Sequence, residues 1–400
     1  MKIELINSSL FDKFWHDQYE IVSTESAFNE HNKYVQGESL DYKRLVKIIN
    51  EDKRILLPDI DKTIPVIFYS FSVWTRIKTR SNVFIQEPSL KTFFGKLTTS
   101  YQSGTESIYI SRNLYEAKKK DKGINEHEVF KALLASDCSH EEATNLVLLH
   151  ELGHAVHHQV SKQRGNLLDE TTTEAKFLNK LMTTTDFVSS RKFDIPEISP
   201  VAYKAVTEGF ADLYSCIVVD KLYGKEQATK IIEALHQMRL SAYELDEHRN
   251  RERYYSFDSI KHYIDNRDIL SFNTFDDIHQ YISDTVSKVA IHYINKEAGR
   301  YGNKSHCNFL GVINVVHNLN QSNAYAAALA IQKKFPFIDL YENKIKREEW
   351  KFQKGNDVGK EWLNRRSKRE LKDKIRDTKK CIHSSNAKLT AKKNHYNKSN

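Results

Sequence analysis

The sequence predicts an α+β protein that is predominantly helical, with a small sheet ahead of a long central helix. Strand-like runs of β-branched and aromatic residues are concentrated between residues 64 and 111. From about Glu126 the pattern is almost wholly helical, and prolines occur there only at positions 196, 200 and 336. A chain of 400 residues can bury a substantial core without disulfide cross-links.

Residues 1–60 are predicted to form a helical N-terminal region. Ser39 can cap a helix there whose apolar residues lie near one face: Leu45, Val46, Ile48 and Ile49. Three runs of strand-forming residues follow Pro58 and predict the small sheet: Ile64–Phe71, Asn82–Gln86 and Ser107–Ser111.

Two long helices are predicted after the sheet. Ser139–Gln163 begins with Ser139 and Glu142 at the spacing of a capping box, and an apolar band follows. Ser199–Leu222 has a proline in its first turn, and Gly224 is placed to end it. These two helices carry the residues on which the functional prediction depends.

Residues 342–400 are predicted to form a basic C-terminal tail. They contain nineteen Lys or Arg against eight Asp or Glu, a net charge of +11, whereas the whole chain carries +8. The remaining residues are therefore close to neutral, which argues against a nucleic-acid-binding core. Aromatic residues among the cations of the tail can contact nucleic acid or an anionic membrane, although we favour a solvated helix with a frayed end.

The first long helix contains His150-Glu-Leu-Gly-His154. Residues four apart share one face of a helix, so the two imidazoles can bind one zinc ion at about 2.0–2.1 Å. Glu151 is rotated toward the same cleft, where it can take a proton from zinc-activated water without binding the metal. The motif therefore predicts His150 and His154 as ligands and Glu151 as the general base.

The third ligand is predicted on the second long helix. Glu208 follows His154 by 54 residues and shares a helix face with Asp212. Glu208 can complete the coordination, and Asp212 can accept the free N–H of a ligating imidazole. Two of the three residues between them are small, as close packing of two helices around an ion requires: Gly209 and Ala211.

A metzincin site is excluded by the residues that follow the first motif. That pattern needs glycine at position 157 and histidine at position 160, but the chain has His157 and Val160. His158 is also a poor ligand, because it lies eight residues from His150 and therefore about 12 Å along the helix. We predict that His157 lies at the surface and that His158 is a partly exposed polar residue.

H-E-x-G-H followed by E-x-x-x-D on a later helix resembles the gluzincin superfamily of zinc metallopeptidases. His-Glu-Leu-Gly-His-Ala-Val with Glu-Gly-Phe-Ala-Asp is locally similar to the lethal-factor-type bacterial toxins, which have Glu where Asp212 stands. The resemblance covers at most residues 107–222. It implies a zincin-like fold, assigned here to residues 61–341, with a small antiparallel sheet before the active-site helix. An antiparallel edge strand of that sheet would align the substrate, and Ser107–Ser111 is the candidate.

The resulting hypothesis is a zinc-dependent endopeptidase with one zinc ion per chain, acting on protein or peptide substrates. The resemblance also implies a Tyr or His that stabilises the oxyanion, and six residues stay open for that role: Tyr203, His262, Tyr263, His292, Tyr293 and Tyr301. Two alternative functions also stay open. One is an inert metallopeptidase-like scaffold that binds nucleic acid or an anionic membrane through its tail, and the other is a zinc hydrolase of non-peptide substrates.

Cysteine spacing and the first residues of the chain bear on its location. The four cysteines form no C-x-x-C pair, so we predict reduced thiols: Cys138, Cys216, Cys307 and Cys381. The first ten residues reach polar and acidic side chains before any apolar run long enough for a signal peptide. We therefore expect a cytoplasmic protein, or a bacterial effector exported by a route that reads no cleavable signal.

Overall fold

A computed structural model describes residues 1–5, 19–22, 40–69, 76–79, 100–103, 106–111, 133, 136–184, 198–245, 255–300 and 303–339, with 356, 357, 360, 364 and 368. The chain divides into two compact units. One comprises Met1–Asn179 with Val201–Tyr293, and the other comprises Lys180–Pro200 with Ile294–Asn400. The predicted boundaries after residues 60 and 341 stay predictions.

The described chain is mostly helical, as predicted, with a small sheet. The strands are β1 (Lys2–Leu5), β2 (Tyr19–Val22), β3 (Thr63–Tyr69), β4 (Arg76–Thr79), β5 (Ser100–Gln102) and β6 (Ser107–Ser111). The helices are α1 (Leu40–Glu51), α2 (Lys53–Leu56), α3 (His140–Arg164), α4 (Thr173–Thr184), α5 (Ile198–Leu222), α6 (Lys225–Leu245), α7 (Ser256–Asn266), α8 (Phe275–Arg300), α9 (Asn303–Val316) and α10 (Ala324–Lys334).

The sheet is mixed, so the prediction of an antiparallel sheet is wrong. Four strands lie in the order β1-β3-β6-β5, and both β1 with β3 and β3 with β6 run parallel. Long connections allow these parallel crossovers. Among its described strands only β5 and β6 run antiparallel, and they are separated by four residues, a length that suits a hairpin connection. Strands β2 and β4 form a separate antiparallel pair.

The predicted edge strand is also wrong. Ser107–Ser111 is strand β6, but it is interior because it pairs with β3 on one side and β5 on the other. The two outer strands of the described sheet are β1 and β5. The side chain of Asn50 covers β1, since it accepts from the Ile3 amide at 3.0 Å and donates to the Ile3 carbonyl at 2.8 Å. Strand β5, the other outer strand, lies beside α3, where the Tyr101 amide donates to Glu151.

The N-terminal region is only partly helical. Helices α1 and α2 agree with the prediction, and Leu45, Val46 and Ile49 are buried there. Residues 2–5 and 19–22, however, are strands, and β1 owes its place to pairing with β3, which local periodicity does not reveal. The predicted strand Asn82–Gln86 lies outside the described residues.

Helices α3 and α5 form the centre of the first unit. Both are buried over most of their lengths, as shown by the side chains of Leu149, Leu152, Phe210 and Leu213, which are no more than 1% exposed. Such burial on nearly every side explains why their apolar residues spread beyond a single stripe. In the second unit, α9 and α10 are joined by a turn in which Asn314 donates to the Gln321 carbonyl and accepts from its amide.

Among the described residues no helix is both long enough and apolar enough to cross a membrane. Cys138 and Cys216 are buried free thiols. Most of the predicted basic tail lies outside the described residues, and of its described side chains Asn356 is buried against Asn314.

Candidate metal centre

Helix α3 begins with the predicted capping box. The Ser139 hydroxyl accepts from the Glu142 amide at 3.2 Å, and the Glu142 carboxylate accepts from the Ser139 amide at 2.7 Å. These bonds satisfy two backbone donors that the first turn of a helix leaves unpaired. The start of α3 is thereby defined, which places His150 and His154 near the middle of the helix.

A glycine lets α3 and α5 approach closely beside the two histidines. A Cβ atom at Gly153 would lie 2.7 Å from Ala211 Cα and 3.0 Å from the Ala211 carbonyl oxygen. Position 153 therefore tolerates no side chain at this helix separation. Ala211 lies three residues after Glu208, so the contact brings the second predicted motif up to the first.

Three predicted ligands converge at this crossing. His150 Nε2 and His154 Nε2 lie 3.1 Å apart, and Glu208 Oε2 lies 3.5 Å from the first and 3.8 Å from the second. Donor atoms at 2.0–2.2 Å from a tetrahedral ion are separated by about 3.3–3.6 Å. The three side chains are 17%, 20% and 25% exposed, so an ion from solvent can reach them. The group can hold a metal ion with its present geometry.

Asp212 holds the other nitrogen of His150. The His150 Nδ1–H donates to Asp212 Oδ1 at 2.7 Å, which directs Nε2 toward His154 and Glu208. Asp212 is completely buried, and Arg239 on α6 binds both of its oxygens at 2.7 and 2.8 Å. This arrangement is the one by which proteins orient a ligating imidazole and raise its basicity.

The side chain of Glu151 extends from α3 to the edge strand β5. The amide of Tyr101 on β5 donates to Glu151 Oε2 at 2.6 Å, while the Tyr101 hydroxyl contacts His158 Nδ1 at 2.8 Å. Glu151 and His158 are seven residues apart, two turns along the same face of α3. Tyr101 therefore spans two turns of α3 and fixes the edge strand beside the metal centre.

Burial and mutual charge shift the ionisation of the whole group. Burial raises the pKa of Glu151 to about 7 and lowers that of His154 to about 4. Burial alone would lower the pKa of His150, but Asp212 raises it above its usual range. For the acid Glu208 the directions are reversed: burial alone would raise its pKa, yet the two imidazoles lower it to about 2. Opposite charges thus keep the acidic ligand ionised inside the protein.

The prediction that His157 is exposed is wrong. It is only 3% exposed, its ring stacks on Phe210 with centroids 4.4 Å apart, and its Nε2–H donates to the Leu167 carbonyl at 2.6 Å. Burial lowers the pKa of His157 to about 3, so the ring is neutral. The sequence pattern missed this because α3 is covered on this face as well. His158 is partly exposed, as predicted.

Of the six oxyanion candidates, two donate their hydroxyl groups to acids that are not among the predicted metal ligands. Tyr263 donates to Asp220 at 2.5 Å, and Tyr293 donates to Asp258 at 2.6 Å. The His262 ring contacts the Tyr281 hydroxyl at 3.1 Å, and His292 is exposed. Tyr203 is 37% exposed on α5, and Tyr301 lies outside the described residues; the oxyanion role stays unassigned.

Two residues of the centre were missed from the sequence. Arg239 was one cation among several on a charged helix, and only its fold-dependent contact with Asp212 distinguishes it. Tyr101 belongs to a strand of three residues, too short for a period-two pattern to reveal. Neither residue carries a signal in the sequence, because both contacts depend on which elements meet in the fold.

In comparisons with protein-family models, curated proteins and solved structures, none matches this chain.

Proposed function

We propose that the chain is a zinc-dependent endopeptidase in which His150, His154 and Glu208 bind one zinc ion and Glu151 is the general base. The observation that supports this most is the convergence of the three ligand atoms, 3.1, 3.5 and 3.8 Å apart, next to Glu151. Two imidazoles and one carboxylate are a ligand set of catalytic zinc sites, which keep a further position open.

Each residue of the centre has a separate task in this proposal. A zinc ion held there would lower the pKa of a bound water toward 7 and polarise a substrate carbonyl. Glu151 Oε2 is engaged by the Tyr101 amide, so Oε1 is the oxygen that takes the proton from water. Asp212 keeps the tautomer of His150 that leaves Nε2 for the metal.

The edge strand favours a peptide substrate over the alternatives. The Tyr101 amide points away from β6, toward Glu151, so this side of β5 faces the metal centre. Because the Tyr101 amide is engaged by Glu151, an extended peptide would add to this edge through the Tyr101 carbonyl, which points to the same side in an antiparallel strand, and such a main-chain contact favours a polypeptide backbone. A hydrolase of non-peptide substrates has no need of this edge, and an inert scaffold has no need of a carboxylate at position 151 beside the ligands.

The test is cleavage of a peptide library by the zinc-loaded protein, with new N-termini identified by mass spectrometry. Glu151→Gln should retain zinc and lose cleavage by orders of magnitude, because the amide cannot accept the proton. Glu141→Gln is the matched control, since Glu141 is an exposed acid in the first turn of the same helix. Cleavage that persists in Glu151→Gln, or that a metal chelator does not stop, would refute the proposal.

A further inference from the structure

Asp212 carries a negative charge that the protein must neutralise and a carboxylate group that it must orient. Its side chain is completely buried, and a buried carboxylate is tolerated only when it is paired and hydrogen-bonded. We infer that Arg239 is a positioning residue of the metal centre: it fixes the Asp212 carboxylate so that His150 stays oriented for metal binding. The inference rests on the proposed metal site, because it concerns the affinity of that site.

The contacts form a continuous chain across three helices. Arg239 on α6 donates through Nε to Asp212 Oδ2 at 2.7 Å and through Nη2 to Oδ1 at 2.8 Å. On α5, the same Oδ1 accepts from His150 Nδ1 at 2.7 Å. The ring of His150, on α3, then presents Nε2 at 3.5 Å from Glu208. The rotation of the carboxylate therefore sets the direction in which the imidazole is held.

Two parallel bonds define the plane of the carboxylate, and one bond does not. The planar guanidinium matches both oxygens at once, which a lysine ammonium cannot do. With a single contact, Asp212 would keep a neighbouring positive charge but would be able to turn about its Cβ–Cγ bond. The geometry thus assigns the function to the fork of Arg239 and not to its charge alone.

Helix α5 also supplies a matched control. Asp220 lies two turns after Asp212, and Arg267 donates to it at 2.5 Å with a side chain only 9% exposed. That pair also joins elements of the first unit, and its acid is held by a tyrosine instead of a histidine ligand. Arg267→Lys should therefore perturb folding stability in the manner of Arg239→Lys without affecting the metal centre.

The experiment measures zinc affinity by competition with a chromophoric chelator, together with the thermal midpoint of each metal-free protein. Arg239→Lys should weaken zinc binding by about 10-fold, the lower end of the usual cost of losing a partner behind a ligand. In the Asp212→Asn background, where the carboxylate is absent, Arg239→Lys should weaken it by less than about 2-fold further. Arg267→Lys should lower the midpoint and leave zinc affinity unchanged.

The outcomes separate this inference from the proposed function. If the parent protein binds no zinc, both fail. If the parent binds zinc and Arg239→Lys binds it equally well, only the role of Arg239 fails. The role of Arg239 would also fail if Arg239→Lys lowered zinc affinity equally in the parent and in the Asp212→Asn background, because Arg239 would then act by a route other than Asp212. Should Arg239→Lys not fold, Arg239→Gln replaces it in the same cycle, since its amide can donate one hydrogen bond to Asp212.

Discussion

Gly153→Ala tests the close approach of the two helices on which the metal centre depends. The added Cβ would lie 2.7 Å from Ala211 Cα, whereas ordinary contact begins at 3.4 Å, so α3 and α5 must separate by about 0.7 Å or more. If the helices move as rigid bodies, Glu208 Oε2 shifts from 3.5 and 3.8 Å to about 4.2–4.5 Å from the imidazole nitrogens.

That displacement is large for a site of this size. Two donors on one zinc ion can be at most about 4.2 Å apart, with the ion directly between them. Glu208 would no longer bind together with both imidazoles, so zinc affinity should fall by at least about 100-fold. The free energy of unfolding should fall by only about 0–2 kcal/mol, because overpacking costs about 1–3 kcal/mol and replacing a helical glycine by alanine returns about 1 kcal/mol.

Zinc affinity from chelator competition and stability from urea unfolding measure the two effects separately. Gly224→Ala is the control, since no atom lies within 4 Å of a Cβ at that position. It should leave zinc affinity at the parent value and change stability by less than about 0.5 kcal/mol. A Gly153→Ala protein that folds and binds zinc like the parent would show that the helix contact does not set the ligand geometry.

Two further predictions concern ligand assignment and pH. Glu208→Ala should lose zinc on dialysis, while Asp212→Asn should retain it with affinity or activity lowered by about 10–100-fold; equal zinc content in Glu208→Ala and the parent would place the third ligand elsewhere. Burial alone would raise the pKa of Glu106, but Lys162 and Lys62 lower it from 4.5 to about 2. Because the folded-state pKa is depressed, the stabilisation is present above about pH 4.5 and is lost toward pH 2. Glu106→Gln should therefore be less stable than the parent in urea at pH 6, with a difference that shrinks by pH 3; a constant difference would contradict this.

The parts of the structure that depend on local sequence were predictable. The capping box of α3, the bounds of α3 and α5 to within one residue, and strand β6 follow from side-chain patterns that act over a few residues. The grouping of His150, His154 and Glu208 followed from the chemistry that a catalytic zinc ion needs, and the structure brings their ligand atoms together.

The parts that depend on which elements meet in space were not predictable. Strand direction in the sheet is set by connections, so local alternation could not distinguish a mixed sheet from an antiparallel one. The burial of His157 depends on Phe210, more than fifty residues away along the chain. Arg239 likewise lies 27 residues from Asp212 on a helix whose charges are typical of a solvated face.

The central claim is that His150, His154 and Glu208 hold one catalytic zinc ion. Its most direct test is a crystal structure of the zinc-loaded protein, with anomalous diffraction data on both sides of the zinc absorption edge. We predict one anomalous peak per chain, about 2.0–2.2 Å from His150 Nε2, His154 Nε2 and a Glu208 carboxylate oxygen, with a coordination position open toward Glu151. A zinc-loaded crystal with no peak at these residues, or with its peak on other side chains, would contradict the claim.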